Sequence, residues 1–156
     1  MVYIFDTCAF LVIGHYYPQR FPTFWQNFND AALSGLIISA REVYRELEGH
    51  DLKPHIQAWL KDNRHLFMAP TPEEAEFVAE IFSVRHFQQL VGEKQRLRGM
   101  PVADPFIIAM AKIRNGYVIT EEGKKGNSAK IPNICEYFGI NCCNVEGFME
   151  INDWTF

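Results

Sequence analysis

The sequence predicts an α/β fold: a mostly parallel central sheet covered by helices on both faces. Short apolar runs rich in β-branched and aromatic residues recur along the chain, as buried parallel strands require. Segments with helical periodicity lie between them, opened by proline or a capping residue and closed by glycine. The two kinds of segment alternate, which is the pattern of a parallel sheet.

Val2 to Phe5 is the first such run and ends at Asp6. Thr7 is placed to cap a helix beginning near Ala9, and His15 to Pro22 reads as a loop. Phe24, Phe28 and Ala32 mark a helix from Thr23 to Leu33, stopped by Gly35. Leu36 to Ile38 is a second strand. Ser39 and Glu42 have capping-box spacing for a helix running to about Glu48. Pro54 opens a helix carrying Ile56, Trp59 and Leu60, and Leu66 to Met68 is a third strand. Thr71-Pro72-Glu73-Glu74 is a strong helix start, with acids in the first turn. The amphipathic segment after it extends toward Leu97 and ends by Gly99. Asp104-Pro105 opens a helix to Arg114, Tyr117 to Thr120 is a strand, and Gly123 to Lys130 reads as a mobile polar loop. Pro132 opens a short helix ending at Gly139, followed by a last strand from Ile140 to Val145.

The 156 residues suit one domain, 1–156, with no repeat, linker or low-complexity tract. Hydrophobic residues at 48% and charged residues at 22% match a soluble globular chain. No apolar run approaches the roughly 20 residues of a membrane helix, and the start lacks a signal-peptide layout, so the expected location is cytoplasmic. Cys8, Cys135, Cys142 and Cys143 form no Cys-x-x-Cys pair and have no histidine at zinc spacing, so they read as reduced thiols. A net charge of −4, from 15 basic and 19 acidic residues, weighs against nucleic-acid binding unless cations neutralise clustered acids.

Ligands of open α/β sheets bind beyond the carboxyl ends of the strands. Asp6 lies there after the first strand, and Glu121 and Glu122 after the fourth. Glu42, Glu46 and Asp104 lie on helices expected to pack on the sheet. Each has a bland explanation: Asp6 and Asp104 as helix caps, Glu42 and Glu46 as solvated helix residues, Glu121-Glu122 as a polar turn. Arg45 also relieves the repulsion between Glu42 and Glu46 without any metal. Together, oxygen donors without histidine or cysteine partners suit a hard cation, Mg²⁺ or Mn²⁺. Such ions support phosphodiester cleavage by activating water and stabilising the leaving oxygen.

Four stretches, in order over most of the chain, resemble the motifs of PIN domains. Tyr3-Ile-Phe-Asp-Thr-Cys8 is similar to their opening strand, and Glu42-Val-Tyr-Arg-Glu-Leu47 to their second motif, which selects Glu46. Ala103-Asp-Pro-Phe-Ile-Ile-Ala-Met-Ala111 resembles the third motif. Val118-Ile-Thr-Glu-Glu122 resembles the fourth and selects Glu122 where many members have aspartate. Ala103 to Ala111 and Lys130-Ile-Pro-Asn-Ile-Cys135 resemble an uncharacterised PIN-like family of bacteria and archaea. The resemblance implies a three-layer α/β/α fold and a metal-dependent ribonuclease of the toxin kind, often a homodimer held inactive by a small antitoxin. It implies that Asp6, Glu46 and Asp104 hold Mg²⁺ or Mn²⁺ and that Glu122 completes the cluster. Thr7 and Thr120 are candidates to orient carboxylates or waters. Lys124, Lys125 and Lys130, and more weakly Arg20, Arg41 and Arg45, are candidates for RNA phosphates, against the alternative of a solvated charge run. Tyr16, Tyr17, Phe21 and Trp25 are placed either in the core or against bases. The segment from Glu73 to Leu97 is longer than in compact PIN toxins and suggests a clamp or dimer surface.

The alternative is a non-catalytic PIN-like module that binds RNA or protein. Other folds fit less well. A haloacid-dehalogenase-type phosphatase needs a second aspartate where Cys8 stands, and a receiver domain needs an acidic pair that Val2 to Phe5 does not supply. A thiol enzyme on Cys142-Cys143 has no activating partner in the sequence.

Overall fold

Side chains alternate across the sheet at Tyr3, Ile4 and Phe5, and all three are buried, so this strand is covered on both faces. A computed structural model describes residues 1–90 and 102–156. Its strands are β1 (Tyr3–Phe5), β2 (Ile37–Ala40), β3 (Phe67–Met68), β4 (Tyr117–Ile119) and β5 (Asn141–Cys143). They form one sheet in the order β3-β2-β1-β4-β5, and all four pairings are parallel. The fold is a three-layer α/β/α domain, parallel throughout among the described strands rather than mostly so.

Eight α-helices are described: α1 (Thr7–Ile13), α2 (Pro22–Leu33), α3 (Arg41–Glu48), α4 (Pro54–Asp62), α5 (Pro72–Ser83), α6 (Asp104–Arg114), α7 (Ile131–Phe138) and α8 (Val145–Ile151). Right-handed crossovers put the helices leading from β1 through β2 to β3 on one face, and those leading from β3 through β4 to β5 on the other. Aromatic packing follows that division. Phe5 meets Phe10 of α1, Phe28 of α2 and Phe148 of α8, with ring centres 5.5, 5.4 and 5.1 Å away. Across the sheet, Phe77 of α5 meets Phe138 of α7 at 5.0 Å. β1 leads outward to β2 and β3, whereas β4 leads to β5 on the other side. The carboxyl ends of β1 and β4 therefore flank a topological switch point. At the opposite, amino ends of the same two strands, tight packing needs Gly116, because a Cβ at that position would lie 2.6 Å from the Val2 carbonyl oxygen.

Several sequence expectations change. Ser39 is the third residue of β2, not a cap: its hydroxyl donates to the Phe5 carbonyl at 2.6 Å, stitching β2 to β1, and α3 starts after Ala40 with no side-chain cap. Thr7 is the first residue of α1, and Asp104 is the first of α6 and caps nothing. Of the segment expected to run as one helix from Glu73 to Leu97, the first helix ends at Ser83. Val84 is extended, and Arg85–Leu90 forms a 3₁₀ turn. Residues 91–97 lie outside the described part. The last strand ends at Cys143, and Asn144 caps the unforeseen α8 by accepting the Gly147 N–H at 2.8 Å. The polar loop is tied down by Asn133, which donates to the Gly126 carbonyl at 2.9 Å and accepts from the Ser128 hydroxyl and the Lys125 N–H. No described helix is long and apolar enough to cross a membrane.

Candidate active site

Asp6 follows β1 directly, and its backbone N–H donates to the Ile119 carbonyl of β4 at 2.9 Å, so the carboxylate hangs at the switch point. It is 3% exposed. Oδ2 accepts from the Thr120 hydroxyl at 3.0 Å and from the Cys8 thiol at 3.1 Å. Oδ1 is buried and has no partner among the described residues. A buried carboxylate oxygen without a donor is costly, and such an atom marks a place for a cation or a proton. Burial chiefly raises the Asp6 pKa. The bonds from Cys8, the Thr7 backbone and Thr120 oppose this, and the Glu122 charge adds to it.

Glu46 reaches the same region from α3. Its Oε2 accepts from the Thr7 hydroxyl at 2.6 Å and its Oε1 from the Ala103 N–H at 3.0 Å, just ahead of α6. Thr7 thus orients a carboxylate, one of the two roles open to it in the sequence. Asp104 is half-buried at the start of α6, and its carboxyl is pushed up to about 8. Burial contributes most, followed by the like charges of Asp6, Glu122 and Glu46, with Lys130 opposing. The mutual influence of these four acids is the electrostatic signature of a cluster.

Glu121 and Glu122 diverge. Glu122 Oε2 accepts the N–H of Ile131, the first residue of α7, at 3.0 Å, and Glu121 Oε1 accepts the N–H of Val145, the first of α8, at 2.8 Å. Each satisfies an orphan donor where the helix dipole favours an anion. Glu42 is 5% exposed and turns to Arg41, with Nε to Oε1 at 2.9 Å, while its Oε2 has no partner among the described residues. It is neither solvated nor part of the cluster that acts on Asp104.

The structure brings Asp6, Glu46, Asp104 and Glu122 to one end of the sheet. Among the described residues, however, no three His, Cys, Asp or Glu side chains are assembled as a metal-holding group. The hydrogen bonds give the reason: Glu46 is turned to a hydroxyl and a backbone N–H, and Glu122 to a backbone N–H. The donor set itself fits a hard divalent cation, being all carboxylate oxygens with Asp6 Oδ1 open.

The phosphate and base candidates separate. Lys124 is paired with Glu136, whereas Lys130 acts on Asp104. Trp25 is buried and donates its indole N–H to the Tyr16 carbonyl, and Tyr16 packs on Phe21 and Phe24, which favours the core reading for both. Tyr17 and Phe21 stay exposed. Cys8 is the contact that sequence reading missed. Its sulfur also accepts the Glu121 N–H at 3.2 Å and lies 3.2 Å from the Thr120 hydroxyl. Its only sequence signal was its place two residues after Asp6. Burial, then the Asp6 charge, pushes this thiol up to about 12, so it is neutral.

A parallel sheet in this strand order with helices on both faces is a PIN-like fold. More narrowly, the chain belongs to the family described as Domain of unknown function (DUF4411), whose model matches residues 3–156. Among solved structures it is similar to VapBC2 from Rickettsia felis bound to a DNA fragment from their promoter, with a TM-score of 0.51 and 15% identity. The likeness covers 92% of this chain and 98% of that chain, and at this identity it bears on the fold alone. No curated protein matches the chain.

Proposed function

We propose that the chain is a metal-dependent endoribonuclease that hydrolyses RNA phosphodiester bonds at the carboxyl edge of its sheet. The observation that carries this reading is the buried Oδ1 of Asp6 at the switch point, without a partner among the described residues, together with the joint action of Asp6, Glu122 and Glu46 on Asp104. Asp6, Glu46, Asp104 and Glu122 would hold Mg²⁺ or Mn²⁺. Such an ion, when bound, activates water and neutralises charge developing on phosphate oxygens. Thr120 and Cys8 anchor Asp6 Oδ2 and leave Oδ1 free among the described residues. Thr7 holds Glu46 against the start of α6. Lys130, exposed at the entry to α7, is positioned to meet a phosphate beside Asp104. The fold it shares with a VapBC2 structure supports a toxin role with a small antitoxin partner, and we extend this to a homodimer acting in the cytoplasm.

The test is cleavage of single-stranded RNA in Mn²⁺ or Mg²⁺ by wild type, Asp6→Asn and Asp104→Asn. EDTA and either substitution abolish cleavage while circular dichroism is retained. Cleavage that persists in both variants overturns the site assignment. A second reading, a non-catalytic RNA- or protein-binding PIN-like module, draws on the engagement of Glu46 and Glu122 by backbone N–H groups. RNA binding without cleavage by wild type decides for it.

A further inference from the structure

The chain carries more acids than bases, so a local gathering of cations is informative. Residues four apart share a helix face. On α3, Glu42 and Glu46 share one, and Arg41 and Arg45, one position earlier in each case, share the next. Arg64 and His65, from the 3₁₀ turn Arg64–Leu66, come to the same side. With Tyr44 they line an open groove of about 510 Å³, in which Glu48 is the one acid among the described residues. The arginine positions are prepared. The Arg64 guanidinium sits over the Tyr44 ring at 5.0 Å, and Tyr44 is fixed edge-on to the buried Phe67 at 5.2 Å. Arg41 spends one donor on Glu42 and has further N–H groups on the same fork.

The groove lies at the carboxyl edge of the sheet, beside the candidate active site. Arg41 follows β2 directly, and Ala69, which also lines the groove, follows β3. Strands are about 4.8 Å apart, so β3 lies about 10 Å from Asp6's strand. We propose that this groove binds the phosphodiester backbone of single-stranded RNA and extends the substrate track from Asp6 across β2 to β3. The inference rests on the reading of the chain as a protein that acts on RNA. Guanidinium forks match phosphate oxygens in pairs. The Tyr44 ring is engaged by Arg64 and Phe67, so the groove offers charge and not a stacking platform, and its grip is independent of sequence.

The experiment is anisotropy of a fluorescein-labelled single-stranded RNA in EDTA across a salt series, which reads binding apart from cleavage. Arg45→Glu/Arg64→Glu is expected to weaken binding roughly 10-fold or more and to lower the slope of log K against log salt by about 0.7 for each phosphate that is no longer neutralised. Arg85→Glu, exposed and outside the groove lining, is the charge control and shifts affinity by no more than about 2-fold. If the double variant misfolds, Arg45→Gln/Arg64→Gln is expected to show the same slope change. Unchanged affinity and slope in a folded groove variant overturn the proposal, as does equal weakening by Arg85→Glu. If poly-L-glutamate displaces the RNA as well as RNA itself does, the groove is an acidic-peptide surface and the RNA assignment falls. Weakened binding in the groove variants, with wild type inactive in Mn²⁺, removes the nuclease reading and leaves this inference standing. Normal cleavage with unaltered groove-variant binding does the reverse.

Discussion

Asp104 has the largest consequence at the scale of single residues. Its folded pKa of about 8 lies above the 3.8 of an ordinary aspartate, so the folded chain binds more protons than the unfolded one between those values. Stability from this group is present in full below about 4 and is lost as pH rises through 8. Thermal unfolding in EDTA should therefore give a lower Tm at pH 8 than at pH 5, and Asp104→Asn should flatten that slope. Cys8 adds a second expectation. Cys8→Ala removes one donor to Asp6 and the acceptor of the Glu121 N–H, and should lower cleavage roughly 10-fold, whereas Cys8→Ser keeps both roles and most of the activity. Asp6 was legible from the sequence because it ends an apolar run. The thiol beside it was not, because its partners Thr120 and Glu121 come from the end of β4, more than 100 positions away. Of the two glutamates on α3, motif order selected Glu46, the member that touches Thr7 and the start of α6. No local pattern shows that Glu42 would be buried against Arg41.

At the scale of elements, the start of α5 is the most fully specified. Thr71 accepts the Glu74 N–H at 3.2 Å, Glu74 accepts the Thr71 N–H at 3.0 Å, and Glu74 also takes the Arg114 Nε at 2.9 Å. Thr71→Ala should cost about 1 kcal/mol in chemical denaturation. Glu74→Ala should cost roughly 2 kcal/mol or more, since it removes half the box and leaves Arg114 without its buried partner. This start was readable because capping boxes are written within four residues. The expected box at Ser39 failed for the converse reason: its hydroxyl found the carbonyl of Phe5 on the adjoining strand, and tertiary pairing outweighed local spacing. α8 was overlooked because its apolar opening reads as a continuation of β5. Only the Asn144 cap divides the two, and asparagine before a helix is common in loops as well.

At the scale of the molecule, alternation of elements was enough to predict a parallel sheet, but strand order was not available from it, and order is what brings β1 beside β4. That adjacency is demanding. Gly116→Ala would set a Cβ 2.6 Å from the Val2 carbonyl oxygen and 2.8 Å from Ile4 Cδ1, and should destabilise the fold by about 2 kcal/mol in thermal melts. Gathering unlike-sign groups into separate zones also makes stability depend on solutes. If Asp6, Glu46, Asp104 and Glu122 capture Mn²⁺ only when folded, Tm should climb with its concentration, by the equivalent of about 2.7 kcal/mol at a hundred times Kd. No climb in Asp6→Asn, against a clear one in wild type, would tie the effect to the cluster.

The adjacent glutamates after β4 hold the starts of two successive helices, and only one of them also belongs to the acid cluster. A cation that draws Glu122 inward must loosen its hold on the Ile131 amide, while Glu121 keeps the Val145 amide. Isotope exchange then becomes a local reporter: Mn²⁺ should speed deuterium uptake at Ile131 and leave Val145 unchanged. Loading of the cluster would thus be read in the loss of protection at a single amide, without any substrate.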